Sequence, residues 1–187
     1  MMRALCIVIL AMGLAGCAMQ EMDPGDETQM GNGVAVTPQP GFAQIHLATI
    51  RYWTQNGTGL DELDFYTGIK NGEPLFPVPG VAKKDLPVFQ ARMTEGDVEE
   101  LAAASLEKKR MQNVRAMRLR PCQFGSAQGF CFDLAFANEE GLEMRGQAIG
   151  RSQNGLLDLL IFTAPDAYYF AAVSLAVDRI FASIQVK

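Results

Sequence analysis

The feature that most constrains this chain is a pair of cysteines set in two stretches that match each other residue by residue. When residues 111–124 and 129–138 are aligned as an antiparallel hairpin, every opposed pair is chemically sensible. The pairs are Cys122 with Cys131, Arg120 with Asp133, Leu119 with Leu134 and Met117 with Phe136. Because a slip of one residue would move every side chain to the other face, the pattern predicts a β-hairpin in this register.

The same alignment separates the side chains into two faces. One face takes the apolar residues Met117, Leu119, Phe132, Leu134 and Phe136, and the other takes Arg118, Arg120, Asp133 and both cysteines. Opposed residues lie near the Cα separation of ~4.4 to 6.8 Å that a disulfide needs, so in an oxidising compartment we expect a Cys122–Cys131 bridge. The alternative is two reduced thiols that pack together. The spacing is not that of a Cys-X-X-Cys redox centre.

The rest of the second half continues the sheet and ends in a helix. Turn sequences at 138–141 and 153–155 predict two more hairpins, with Asn154-Gly155 suited to a type I′ turn. Residues 156–162 are apolar except for Asp158, which predicts a central strand covered on both faces. A helix follows Pro165, with an apolar stripe at Phe170, Val173, Val177, Ile180 or Phe181, and Ile184.

The first half of the domain predicts two strands, a loop and a helix. Residues 44–55 and 60–69 are rich in β-branched and aromatic residues and flank an Asn-Gly-Thr-Gly turn. Residues 70–87 carry four prolines and predict a long surface loop. Thr94 and Asp97 form an N-cap arrangement before a helix at about 95–109. The order ββ-α-ββββ-α predicts an α+β fold with an antiparallel sheet packed with two helices.

This order of elements over residues 44–185, with a long loop in mid-domain and a closing helix after a buried strand, resembles the PsbP-like extrinsic proteins. The resemblance rests on element order and hydrophobic pattern and includes no signature motif. It implies a non-catalytic accessory subunit that docks on a membrane complex. No functional residue is carried over from the family.

The N-terminus has the layout of an export signal. A positive start at Arg3 precedes an apolar run, residues 4–14, that is shorter than the ~20 residues a transmembrane helix needs. Leu14-Ala15-Gly16-Cys17 resembles the lipobox of bacterial lipoproteins, which implies removal of residues 1–16 and acylation of Cys17. Because Ala18 follows rather than Asp, the resemblance implies anchoring in the outer membrane, facing the periplasm.

Residues 17–41 predict a flexible tether between this anchor and a single domain at 42–187. The tether is rich in proline and glycine and has four acidic residues but no basic one. As a flexible coil it would span on the order of 27 Å, enough for the domain to stand clear of a lipid surface. The domain itself is nearly neutral.

The composition limits the chemistry that the chain can perform. A formal charge of −5 argues against nucleic acid as a partner, and His46 is the only imidazole available for catalysis. Neither nucleotide-binding glycine motif occurs, and the cysteines with one histidine cannot close a structural zinc site. Asp61, Glu62 and Asp64 cluster, but without the spacing of a calcium loop. We therefore expect no cofactor, no metal and no assigned catalytic residue.

Two surfaces are candidates for partner binding. A basic patch contains Lys108, Lys109, Arg110, Arg115 and Arg118 and could face an anionic envelope component or an acidic protein. Alternatively, the lysines complement the end of the helix, and Arg120 pairs with Asp133. The second surface is the proline-rich loop, where Leu75, Phe76, Val78 and Val81 either contact a partner or fold back onto the core.

The sequence therefore predicts a lipid-anchored envelope protein that binds something, most simply an accessory or assembly factor for an envelope complex. One alternative is a hydrolase of envelope polymers, which needs a cleft around His46 or two carboxylates. Another is a carrier of a hydrophobic ligand, which needs a cavity lined by residues such as Phe130, Phe132 and Phe170.

Overall fold

The computed structural model describes residues 19–47 and 50–187. In chain order its strands are β1 Met19–Glu21, β2 Thr28–Gly31, β3 Val34–Val36, β4 Ala43–Leu47, β5 Ile50–Thr54, β6 Glu62–Lys70, β7 Gln112–Phe124, β8 Ala127–Ala137, β9 Glu143–Gln153, β10 Leu156–Pro165 and β11 Gln185–Val186. Its helices are α1 Glu95–Lys108 and α2 Tyr169–Ala182, with a 3-10 turn at Lys83–Asp85.

Eight strands form one antiparallel sheet in the order β1-β4-β5-β6-β10-β9-β8-β7. Helix α1 and the segment before it cover one face, and α2 with a small sheet of β11, β3 and β2 covers the other. The α+β fold with two helices on an antiparallel sheet is confirmed. The faces are called the α1 face and the α2 face below.

Strand β10 lies near the middle of the sheet and supplies both cores. Leu157, Leu159 and Ile161 pack on the α1 face, while Leu160 and Phe162 pack on the α2 face. Since side chains alternate along a strand, an apolar run of this kind must be covered on both sides. The prediction of a central strand is therefore confirmed.

Helix α1 begins where the sequence predicts. The amide of Asp97 donates to Thr94 Oγ1 at 3.2 Å, and the Asp97 carboxylate accepts from the Thr94 amide at 2.7 Å. This capping box satisfies amides that the first helical turn leaves unpaired. At the other end of the helix, Leu106 and Lys109 line a cavity together with residues of β6.

The β7–β8 hairpin has a different register from the predicted one. Cys122 lies opposite Gly129, and Cys131 lies opposite Arg120. The register also shifts twice along β7, where Asn113 and Arg118 have positive φ. Beyond the second shift Met117 lies opposite Asp133 rather than Phe136, so Met117 leaves the α1 face. A β-bulge adds a residue to one strand only, which an alignment without gaps does not anticipate.

The N-terminal segment belongs to the folded domain. Val34, Ala35 and Val36 of β3 are fully buried, and β3 pairs with β2 on one side and β11 on the other. The flexible tether predicted for residues 17–41 is therefore wrong over residues 19–41. Residues 44–55, predicted as one strand, contain two strands, β4 and β5, which pair with each other.

Candidate functional site

A cavity of about 180 Å³ lies on the α1 face, where the end of α1 meets β6 and the turn between β8 and β9. We call it the Asp64 cavity. Its polar lining includes Asp61, Glu62, Asp64, Tyr66, Lys109, Asn138 and Thr163. Its apolar lining includes Phe76, Leu106, Met111, Phe136, Met144 and Ile161.

Strand β6 places three polar side chains on this face. Glu62, Asp64 and Tyr66 alternate along the strand, so all three point to the same side of the sheet. Asp64 lies opposite Ile161 of β10 and is only 8% exposed. The Tyr66 hydroxyl donates a hydrogen bond to the Asp64 carboxylate.

Burial is the main cause of the raised pKa values of Asp64 and Tyr66. Desolvation raises the pKa of Asp64 to about 7, with a further upward push from Glu62, while Lys109 and the Tyr66 hydroxyl act in the opposite direction. Burial and the neighbouring Asp64 raise the pKa of Tyr66 well above its usual range. Tyr66 therefore stays a neutral hydrogen-bond donor, and Asp64 exchanges its proton near neutral pH.

Lys109 brings a positive charge to the rim of the cavity. Its ammonium lies 4.9 Å from the centre of the Phe76 ring, which packs 5.3 Å from the ring of Tyr66. No carboxylate oxygen lies within 4.0 Å of Lys109 Nζ among the residues that the structure describes. The ammonium is therefore held by an aromatic face rather than by a contact ion pair.

The cavity can hold a proton, a hydrogen-bonding ligand or a positive charge. Asp61 is already committed, because its two oxygens accept hydrogen bonds from the amides of Gln55 at 2.7 Å and Asn56 at 2.8 Å. Within residues 19–47 and 50–187, no group of three or more His, Cys, Asp or Glu side chains is arranged to bind a metal ion. His46, one of the two options for the hydrolase alternative, is exposed on β4 and does not line this cavity.

The α2 face holds a second buried aspartate with very different surroundings. Asp158 is 2% exposed and forms an ion pair with Arg151, which is also buried, at 2.9 Å. It also accepts hydrogen bonds from the Asn32 side chain at 2.9 Å and from the Gly68 amide at 2.8 Å. All the donors come from the fold itself, so Asp158 is structural.

The basic patch predicted from the sequence is not one surface. Lys109 lines the Asp64 cavity, and Arg118 forms an ion pair with Asp133, which Arg120 also contacts at 3.1 Å. Arg110 lies 3.9 Å from Glu139. Lys108 and Arg115 are exposed and are in no ion pair among the described residues. The position of Arg118 is thus explained by Asp133.

The proline-rich loop folds back onto the molecule. Leu75 is 4% exposed and belongs to the core of the α1 face, where Phe76 packs beside it. Val78 is also buried, while Val81 is half-buried and lines a shallow surface depression. Of the two alternatives for this loop, folding back onto the core therefore holds for Leu75 and Val78.

The two cysteines form the expected bond despite the register. The structure contains a Cys122–Cys131 disulfide with a Cα separation of 5.9 Å, made between diagonal rather than directly opposed positions. Phe130 and Phe132 pack on the α1 face while Phe170 packs on the α2 face, so these three rings do not line one cavity.

The predicted lipidation site, Cys17, lies outside the described residues, but β1 shows where the chain enters the domain. Strand β1 pairs antiparallel with β4, with Met19 opposite Ile45. The N-terminal end of β1 therefore points toward the end of the β4–β5 hairpin, where Leu47 pairs with Ile50. In the described part of the chain, no helix has the length and apolar character that crossing a membrane requires.

The architecture is an α+β domain with a PsbP-like fold. The solution structure of cyanobacterial PsbP (CyanoP) from Synechocystis sp. PCC 6803 matches 96% of this chain and 99% of that chain, with a TM-score of 0.57 and 10% identity. A crystal structure from Bacteroides thetaiotaomicron VPI-5482 matches 83% of this chain and 45% of that chain, with a TM-score of 0.45 and 9% identity. No family model and no curated protein matches the sequence.

Sequence reasoning missed the Asp64 cavity, although one signal was present. Glu62, Asp64 and Tyr66 have the period of one strand face. Polar residues on a face that is buried against an apolar neighbouring strand indicate a special environment. The approach of Lys109 and Phe76, however, depends on how α1 and the loop pack, which no local pattern encodes.

Proposed function

We propose that this protein is an envelope lipoprotein, anchored in the outer membrane through Cys17 and facing the periplasm, whose domain is a non-catalytic accessory or binding subunit. The lipobox-like sequence at residues 14–17 supports the anchor. The accessory role rests on analogy with the PsbP-like extrinsic proteins, since the resemblance over residues 44–185 implies docking on a membrane complex.

The observation that carries the proposal is the short distance between the lipobox and the fold. Strand β1 begins at Met19, two residues after Cys17. Since a chain extends at most ~3.6 Å per residue, an acylated Cys17 would lie within about 7 Å of the start of β1. The domain would then rest against the lipid surface through the end of the sheet that carries the β4–β5 hairpin. This replaces the earlier expectation of a domain that stands clear of the membrane.

Anchoring is tested with two cysteine variants in cells. A Cys17→Ser variant should incorporate no labelled palmitate and should leave the membrane fraction, whereas Cys6→Ser, the matched change inside the apolar run, should leave both properties intact. Palmitate incorporation and detergent-dependent membrane association that persist in Cys17→Ser would overturn the anchor.

The accessory role is tested by crosslinking in cells followed by purification in detergent. The test variant neutralises Lys108, Arg110 and Arg115, and the control neutralises Lys83 and Lys84, which are exposed on the 3-10 turn. A docking subunit should capture a defined envelope protein in the wild type and the control and lose it in the test variant. Equal capture in all three would exclude the basic residues as the interface, and capture of an anionic lipid or glycan alone would contradict a protein-docking role.

A further inference from the structure

The Asp64 cavity carries more negative than positive charge, and the fold does not balance it. Glu62 and Asp64 face the cavity from one strand, and among the described residues Lys109 is the only cationic side chain in its lining. Neither carboxylate has a lysine or arginine nitrogen within 4.0 Å among the described residues. When Asp64 is ionised, the two carboxylates in this half-buried apolar setting give a negative potential, which favours an occupant that brings a positive charge.

We propose that the Asp64 cavity binds a small organic ammonium ion, with its ammonium group at Asp64 and Glu62 and its alkyl chain on the apolar wall. The wall contains aromatic rings, methionines and aliphatic side chains, which match an alkyl group rather than the hydration shell of a metal ion. This inference concerns the domain alone and does not depend on membrane anchoring.

Lys109 already shows that this site accepts an ammonium group. Its Nζ lies over the Phe76 ring, and the side chain is half-exposed, so it can swing into solvent without disturbing the core. A ligand ammonium would compete with Lys109 for the same negative region. Removing the lysine charge should therefore strengthen the binding of a cation and weaken the binding of an anion.

The volume restricts the ligand to a short chain. About 180 Å³ corresponds to roughly six water molecules at ~30 Å³ each. The n-butylammonium ion has a similar size and is a suitable probe. Butyrate has nearly the same size and shape with the opposite charge, so it serves as the matched control ligand.

Binding should depend on pH through Asp64. The groups that face its carboxyl are Glu62 and Tyr66 on its own strand and Lys109 from the end of α1. Burial raises the pKa of Asp64 to about 7, so an ammonium ligand that requires the carboxylate should bind about tenfold more tightly at pH 8 than at pH 6. The neutral Tyr66 contributes a hydrogen bond over the whole range.

The test measures butylammonium and butyrate binding to the folded domain by calorimetry and by amide chemical shifts at residues 62–66. At pH 9, well above the pKa of about 7 of Asp64, we expect butylammonium to bind the wild type. It should bind Asp64→Asn at least tenfold more weakly and Lys109→Ala several-fold more tightly. The control Glu107→Gln, an exposed carboxylate on the same helix, should match the wild type. Butyrate binding as tight as that of butylammonium, or no butylammonium binding by a folded Lys109→Ala variant, would overturn the proposal.

Discussion

Two buried aspartates on paired strands face opposite sides of one sheet, and their surroundings differ completely. Asp158 of β10 is held by Arg151, Asn32 and the Gly68 amide. Among the described residues, Asp64 of β6 interacts with the Tyr66 hydroxyl, and no lysine or arginine nitrogen, that of Lys109 included, lies within 4.0 Å of its carboxylate. The charge of Asp158 is balanced by neighbouring groups of the fold, whereas Asp64 lines a cavity.

The difference shows why buried charge alone does not identify a functional site. A buried carboxylate with a full set of donors joins parts of the structure, as Asp158 joins the β2–β3 turn to β6 and β10. A buried carboxylate with few donors keeps its capacity to bind a proton or a ligand. The Asp64 cavity is therefore the stronger candidate, although Asp158 is the more deeply buried of the two.

The largest expected loss of stability follows from removing the charge of Asp158. Asp158→Asn leaves the Arg151 guanidinium buried without a counter-charge, which should lower the free energy of unfolding by about 3 to 5 kcal/mol. Urea denaturation monitored by circular dichroism gives this value. The matched control is Asp166→Asn at the exposed ion pair with Arg145, which should cost less than about 1 kcal/mol. Equal losses in the two variants would contradict the structural role of Asp158.

Replacing Asp64 by asparagine should raise the free energy of unfolding at pH 8, whereas replacing Asp158 should lower it. Since burial raises the pKa of Asp64 to about 7 from 3.8, its contribution to stability is complete below pH 4 and is lost as the pH rises through 7. Asp64→Asn should therefore be more stable than the wild type at pH 8, by on the order of 4 kcal/mol, and should lose this advantage toward pH 4. Urea denaturation of both proteins from pH 4 to pH 8 measures the difference. An Asp64→Asn variant that is less stable at pH 8 would show that the carboxylate is stabilising.

Removing the disulfide should change the free energy of unfolding by less than replacing either buried aspartate. Replacing Cys122 and Cys131 by serine removes a short loop closure and should lower the free energy of unfolding by about 2 to 3 kcal/mol. Because the bond lies at the outer edge of the sheet, the pH dependence that originates at Asp64 should not change. A double variant that alters the Asp64 titration would show that the hairpin and the cavity are coupled.

The smallest expected effect is at the exposed ion pairs of the basic patch. Arg118→Ala removes one of two arginines that share Asp133, and exposed pairs of this kind contribute about 0 to 1 kcal/mol. Thermal unfolding should shift by only a few degrees. A loss above about 2 kcal/mol would show that the bulge at Arg118, where φ is 60°, depends on this side chain.

Much of the fold could be predicted because the signals are local. The Thr94 capping box, the apolar β10 segment and the Asn154-Gly155 turn each specify a structure by themselves. Both residues of that turn have positive φ, as a type I′ turn requires. The disulfide was also predictable, since a two-residue change of register keeps both cysteines on one face.

The N-terminal strands could not be predicted for a physical reason. Strands β1, β2 and β3 have three or four residues each and lie among glycines and prolines, so they show no periodicity. Their stability comes from distant partners, since β3 pairs with β11 at the other end of the chain. The Asn32 side chain, in the turn between β2 and β3, likewise donates a hydrogen bond to Asp158, which is 126 residues away in the sequence.

The candidate site was missed because its parts come together only in the tertiary structure. The sequence places Glu62 and Asp64 on one strand face, but Lys109 reaches the cavity from α1 and Phe76 from the proline-rich loop. From the sequence, Lys109 belongs either to the basic patch or to the complement of the helix terminus, and Phe76 either to a partner contact or to the core. Their actual roles depend on tertiary packing, because Phe76 and Lys109 lie 12 and 45 residues after Asp64 in the sequence.

The most direct test of the account is the titration of the Asp64 carboxyl carbon by NMR. The account predicts a midpoint near pH 7 in the wild type. It also predicts a lower midpoint in Glu62→Gln, which removes a neighbouring negative charge, and a higher one in Lys109→Ala, which removes the nearby positive charge. A midpoint near pH 4 that neither variant moves would mean that Asp64 is solvated or fully paired, and would contradict the distinction between the two faces of the sheet.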